Sequence, residues 1–356
     1  MYLWGRDWSR SELEQRIGSL SQLGGIARFE YCDGKARGVT ALRVKTASGF
    51  EFSVLPERGL DIFEATYQGR SLSWHSPVGV MHPAYYDPRG LEWLKTFAGG
   101  LLTTCGLSAA GSPSEDHGEQ LGLHGTISTT PAEQVNWWQE WENDELLMTI
   151  RGKIREARVF GPNLVANRAI KSSLAGRSIR LEDRIVNEGN LITPLMLVYH
   201  CNFGFPLLTD RSRIYCPSQH VEGRTDFAKL HKESWNVFEP PVPGIEERVY
   251  YHEMAPDEHG NVRVLLVSDD ATRDFGVEIT YTAATLPRFV EWKMTGQTHF
   301  VLGLEPANCK VDGRKAERDS GTLCFLKPGE EKQFGLELRV LAGSQEVSEA
   351  IQRQSA

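Results

Sequence analysis

The chain has 356 residues, 40% of them hydrophobic and 24% charged. That composition excludes a disordered chain and leaves room for one large core or two ordinary ones. The formal net charge of −8, with no basic stripe, argues against a nucleic-acid partner. No stretch approaches the roughly 18 consecutive apolar residues of a membrane-spanning helix, so no membrane partner is expected. Met1 to Trp8 lack the basic and then apolar pattern of a signal peptide, and the expected location is cytoplasmic.

In chain order, the first helix signal is Ser9 to Ile17, with serine caps, early glutamates and a Leu13/Ile17 pair. Residues 1–23 therefore read as an N-terminal helical segment. Strand patterns follow at Gly38–Thr46, which alternates, and at Phe50–Leu55, which ends at Pro56. Leu91–Phe97 suggests a single helical turn. Leu146–Ile154 is another strand pattern. Leu164–Leu174 and Ser178–Asn187 then face each other across Ala175-Gly176-Arg177, a hairpin signature. Further strands are expected at Val262–Val267, Gly276–Tyr281, Phe289–Met294, Phe300–Leu304, Gly321–Leu326 and Lys332–Leu341. Ser344–Gln354 reads as a short terminal helix within a tail, 344–356. Strands in this number without intervening helices predict an all-β, antiparallel sandwich over residues 24–343. The proline-rich segment Glu239–Gly244 reads as an extended loop, not a domain boundary.

Three titratable residues stand in apolar, glycine-bearing runs: His124 in Leu-Gly-Leu-His-Gly, His200 in Leu-Val-Tyr-His-Cys-Asn, and Glu305 in Leu-Gly-Leu-Glu-Pro. A polar group in such a run needs a partner or a task, because burial without hydrogen bonds is costly. Imidazole titrates nearest neutrality, and burial can tune a glutamate toward it, so the set reads as a general acid and base. The bland alternatives are a loop histidine, a satisfied core histidine, and a salt bridge from Glu305 to Arg168 or Lys293, with Pro306 ending the strand. Arg58 and Asp61 form a polar cluster after a strand, suited either to substrate hydroxyls or to an internal ion pair. Trp74-His75 pairs an aromatic face, which suits the C–H face of a sugar, with a hydrogen-bonding group. Asn202 follows His200 by two residues and is grouped with the binding set.

Ten histidines are present, but no HxH, HExxH or Cys/His cluster stands at metal-ligand spacing, so no metal is expected. A facial site assembled from His124, His200 and Glu305 stays open at this stage. No phosphate loop or strand-linked GxGxxG occurs, and no cofactor is expected. Six cysteines, none in a CxxC pair, read as reduced thiols, with Cys201 and Cys309 near the candidate site.

The ordered strings Arg-Gly-Leu-Asp (58–61), Leu-His-Gly (123–125), Tyr-His-Cys-Asn-Phe-Gly-Phe-Pro-Leu-Leu (199–208), Trp-Lys-Met (292–294) and Gly-Leu-Glu-Pro-Ala-Asn (303–308) resemble the aldose 1-epimerase-like DUF4432 branch of the galactose mutarotase-like superfamily. The resemblance runs from about Gly24 to Val340. It implies a single β-supersandwich with a sugar cleft over one sheet. It also implies His124 as a sugar binder, His200 as the acid on the ring oxygen and Glu305 as the base at the anomeric hydroxyl. The mutarotase hydroxyl-binding aspartate has no clear match, with Asp226 lying only roughly in its region.

The expected function is interconversion of sugar anomers by acid/base ring opening. His200 and Glu305 are catalytic, flank the sugar ring and titrate near neutrality, with His200 kept protonated by a nearby carboxylate. His124, Arg58, Asp61, His75, Trp74, Asn202, Lys293 and Arg168 bind substrate, and Trp74 or Trp292 stacks on the ring. The partner is an aldose or an acidic sugar. The alternatives are a non-catalytic sugar sensor on the same fold and a metal-assisted epimerase. Monomer and homodimer both remain open.

Overall fold

The computed structural model describes residues 1–354. The last two residues of the expected tail, 355–356, lie outside the described residues. Strand takes 47% of the chain and helix 14%, distributed over two large antiparallel sheets of twelve and eight strands. The hairpin expected at Leu164–Asn187 forms as Asn163–Ser173 against Ser178–Asn187, and it sits in the middle of the eight-stranded sheet.

Strand alternation builds the core. In Thr193–Phe203, Leu197, Tyr199, Cys201 and Phe203 join the cluster between the sheets, which also takes Ile150, Ile170 and Leu181 from the eight-stranded sheet. The intervening Met196 and Val198 join a second cluster on the outer face of the twelve-stranded sheet, with Trp93, Phe97, Val249 and Val290. This strand is buried along almost its whole length because both of its faces are covered.

At the sheet's centre, Arg248–Met254, Arg288–Gly296, His299–Ala307, Thr193–Phe203 and Leu102–Leu107 lie side by side in that order. Pro306 does not end its strand as expected. The strand runs on to Ala307, with Pro306 opposite Phe289. On its other side Val198 pairs with Ala307 and Cys201 with Leu304, and the bonded ladder skips the two positions between them. Proline has no N–H to donate to that ladder. The skipped register sets His200 across from Glu305.

Several strands carried too little alternation to be anticipated: Gly25–Glu30, Asp61–Tyr67, Leu102–Leu107, Glu133–Glu142, Ser218–Gly223 and Arg248–Met254. The N-terminal segment begins as a two-stranded hairpin before its helix. That helix is short, Arg10–Glu14, and is capped by Ser9 and Glu12 reciprocally. The final helix packs Val347 and Ala350 against Leu265, Val267 and Leu341 of the eight-stranded sheet. No helix among the described residues is long and apolar enough to cross a membrane.

Candidate active site

His200, Glu305 and His124 line one cavity of about 250 Å³ on the outer face of the twelve-stranded sheet. His200 and Glu305 rise from neighbouring strands, with Nε2 and Oε1 3.2 Å apart. Gly303, two residues before Glu305 on the same face, makes that approach possible. A Cβ there would stand 2.6 Å from Glu305 Oε1, 3.0 Å from His200 Cε1 and 3.1 Å from Trp292 Cβ. The pair does not flank a ring-wide gap, as expected, but meets on the cavity floor.

His124 arrives from a loop. Its backbone is left-handed, φ 60°, and is pinned by bonds from His124 N to Gly111 O at 2.8 Å and from Gly106 N to His124 O at 3.0 Å. Gly125, at φ 72°, packs so closely that a Cβ would lie 2.2 Å from Ala109 O. The His124 ring packs on Trp93 at 4.8 Å and stands edge-on to His200 at 5.9 Å. Phe97 and Trp292 complete an aromatic enclosure around His200, at 5.7 and 5.4 Å.

This enclosure sets the proton count. Burial lowers the His200 pKa to about 3, helped by His124, which disfavours the expected imidazolium. Burial pushes Glu305 well above the usual carboxylate range, with the Glu247 charge adding to it. Burial thus favours the neutral form of both groups, a protonated Glu305 beside an unprotonated His200. His124 is lowered to about 4 by burial and by the Arg224 charge, and it is neutral as well. Two buried ring nitrogens of cavity residues, His124 Nδ1 and His200 Nδ1, have no hydrogen-bond partner, and Glu305 Oε1 has only His200 Nε2 beside it, at 3.2 Å.

The remaining residues expected at the site divide. Trp292 lines the cavity, and its Nε1 donates to Glu247 Oε2 at 2.8 Å. Trp74 is buried behind it, edge-on at 6.1 Å. His75 lies apart in a surface groove, bonded to Ser73 Oγ at 3.0 Å and stacked on Phe63. Asn202 donates to Gly100 O and His200 O, both at 3.0 Å, and so fixes the histidine strand without facing the cavity.

Arg58, Asp61, Arg168 and Lys293 do not reach the cavity, because strand alternation and the loop after Leu55 turn them elsewhere. Arg58 donates to Met81 O and to Thr96 O, bracing the turn that carries Trp93 and Phe97. Asp61 accepts from Thr104 N and Oγ1 and from Arg168, and burial lifts its pKa to about 6. Arg168 forms a two-pronged pair with Asp183 inside the sandwich, at 2.9 and 2.7 Å. Lys293 lies on the inner face. There its ammonium binds the carbonyls of Ser234, Trp235 and Val237, and burial lowers its pKa to about 8. The alternative reading of Glu305, a salt bridge to Arg168 or Lys293, is not what forms, since both cations bind elsewhere. Cys201 faces the inner core. Asp226 is fully exposed, in an ion pair with Lys229.

Two charged cavity residues were not expected from the sequence, Arg224 and Glu247. Arg224 follows the edge strand Ser218–Gly223 and donates to Asp312 Oδ1 at 2.8 Å and to Ser112 Oγ at 2.7 Å. The one available signal was an arginine directly after a strand-ending glycine, and that strand was itself unanticipated. Among the described residues, no three His, Cys, Asp or Glu side chains are grouped to hold a metal ion.

A family model described as a domain of unknown function, DUF4432, matches residues 36–340. Among solved structures, a protein named as a candidate aldose 1-epimerase from Klebsiella pneumoniae superposes with a TM-score of 0.88 at 26% identity, covering 93% of this chain and 86% of that one. Galactose 1-epimerase from Lactobacillus acidophilus superposes at 0.60 with 11% identity, over 90% and 99% of the two chains. A galactose mutarotase-like protein from Clostridium acetobutylicum gives 0.58 at 13% identity, over 89% and 99%. No curated protein matches the chain.

Proposed function

Because the chain belongs to the DUF4432 family and has the galactose mutarotase-like fold, we propose that it is an aldose 1-epimerase-type isomerase that interconverts the anomers of a sugar. The observation that carries this reading is the meeting of His124, His200 and Glu305 in one cavity, with His124 Nδ1 and His200 Nδ1 left without a partner. Such atoms are rare in folded proteins, and hydroxyl groups of a ligand would satisfy both.

The chemistry needs one base and one acid at two oxygens of the same carbon. Those oxygens are geminal, so a base and an acid in mutual contact suit them better than groups on opposite sides of the ring. On binding, the hydroxyls of the sugar replace the solvation that burial removed, and the proton passes across the 3.2 Å gap from Glu305 to His200. Glu305 then takes the proton of the C1 hydroxyl while His200 Nε2 gives its own to the ring oxygen. The bond from C1 to the ring oxygen breaks and the C1=O double bond forms. Rotation of the aldehyde followed by the reverse transfers closes the ring on the other face. Each half-reaction leaves one proton on the pair, so the pair is reset at each turnover.

His124 holds a ring hydroxyl through Nδ1, Arg224 and Glu247 bind hydroxyls at the far wall, and Trp292 offers its face to ring C–H groups. The free cysteines fit the reducing cytoplasm. Glu305→Gln tests the reading. It removes the base while keeping shape, and it is expected to abolish exchange by polarimetry while saturable sugar binding persists. A protein that only binds its sugar would leave wild-type exchange at the buffer rate, and that result would end the enzyme reading.

A further inference from the structure

The polar and apolar groups of the cavity are segregated, and strand register shows how. Val290 stands opposite Glu305 on the neighbouring strand, and Val249 stands opposite Trp292 one strand further out. Arg224 N bonds to Val249 O at 2.9 Å, so the arginine wall begins where the second valine ends. The floor therefore runs from the His200–Glu305 pair, across a band of two valines, to Arg224. At the rim, Leu91 and Leu94 are exposed beside the opening, and Leu123 lies near them.

A volume of about 250 Å³ is below the usual range for drug-sized ligands and suits one ring. With its anomeric oxygens at the pair and a distal hydroxyl at Arg224, the ring lays an edge over the valine band. Valine has no donor or acceptor. A hydroxyl buried there loses water and gains nothing, which weakens binding about tenfold or more. The charges also discriminate. Arg224 is already paired with Asp312, and Glu247 borders the same cavity. An added anion would meet a neutralised guanidinium and a repelling carboxylate.

Resting on the anomer-exchange reading, we infer that the site takes a neutral deoxy sugar, with a C–H group where its parent hexose has a hydroxyl, in preference to that hexose and to a uronate. Of the two expected classes, an aldose or an acidic sugar, this favours the first, and the basic residues Arg58, Arg168 and Lys293 lie outside the cavity.

The test is exchange NMR on the full-length protein with matched pairs: L-fucose with L-galactose, D-fucose with D-galactose, L-rhamnose with L-mannose, and D-quinovose with D-glucose. Glucuronate and galacturonate complete the panel. For at least one pair, kcat/KM is expected to favour the deoxy sugar by about tenfold or more. Parent hexoses that match or exceed every deoxy partner, or a uronate that exceeds both, overturn the inference. Val290→Thr keeps the side-chain shape and adds a hydroxyl to the band. It is expected to narrow the preference several-fold, and an unchanged preference counts against the valine band. Tryptophan fluorescence reports binding separately. Selective binding of the deoxy sugar without exchange upholds this inference and overturns the enzyme reading, whereas exchange without selectivity does the reverse.

Discussion

Tyr199 and His200 are consecutive residues of one strand, and each anchors a buried polar cluster on its own face of the sheet. On the inner face, the Tyr199 hydroxyl donates to Asp183, which is bound twice by Arg168; Arg168 also reaches Gly59 O and Asp61, and Asp61 is held by Thr104. None of those charged or hydroxyl groups lacks a partner. On the outer face, His200 and Glu305 touch each other, yet the far ring nitrogen of His200 is unpartnered, as is His124 Nδ1. His200 and Glu305 are buried as deeply as Arg168, Asp183 and Asp61. The difference lies in saturation: the inner cluster is complete and joins the two sheets, whereas the outer one keeps two ring nitrogens without a partner. Buried charge is thus a poor guide to function by itself, and unfilled hydrogen-bonding capacity is a better one.

This contrast can be broken at either cluster. The largest effect is expected for His200→Gln, which keeps the aromatic enclosure nearly filled but removes the acid. Exchange should fall by about 10³-fold, within the usual range for a general acid–base group, with the midpoint of urea unfolding little changed. Arg168→Ala should do the opposite. Stranding Asp183 and Asp61 is expected to cost about 3–5 kcal/mol of stability, read from urea unfolding, while kcat of the folded fraction stays near wild type. Gly303→Ala comes next. Its methyl group meets both members of the pair, and a displacement of this kind is expected to lower kcat by about 10²-fold without loss of fold by circular dichroism. Arg224→Ala should raise KM about tenfold, as for loss of one charged hydrogen bond, and leave kcat nearly intact.

The smallest effect is a predicted absence. His200 titrates near 3 rather than at the ordinary imidazole value, and Glu305 is raised. Burial disfavours the charged form of both groups, and His200 gains a proton only far below neutrality. The rate should therefore cross pH 6.5 without a step. A drop of half or more between pH 7 and pH 5.5 would show an ordinary imidazole at work.

The sequence disclosed the outer cluster better than the inner one. A titratable residue closing an apolar run beside glycine, as at His124, His200 and Glu305, is a local signal that needs no partner to be visible. Arg58, Asp61, Arg168 and Lys293 carried charge of the right kind, but which face a side chain takes depends on strand register, and register emerges only from pairing. Lys293 neighbours Trp292, so alternation sends one inward and the other to the cavity. Arg224 and Glu247 sit at the ends of strands too polar to reveal themselves by alternation, Ser218–Gly223 and Arg248–Met254. Pro306 misled in the same way. It removes one ladder bond but not the strand, since tertiary packing on both sides holds the chain extended.

The most direct measurement sets the two faces of one strand against each other: anomer exchange by two-dimensional NMR for Tyr199→Phe and Glu305→Gln, side by side, with a sugar that each variant is shown to bind. Tyr199→Phe removes one bond from the saturated cluster and is expected to exchange anomers at close to the wild-type rate, with some stability lost. Glu305→Gln is expected to exchange at the buffer rate. Equal rates in the two variants, whether both intact or both abolished, would contradict the assignment of catalysis to the unsaturated face.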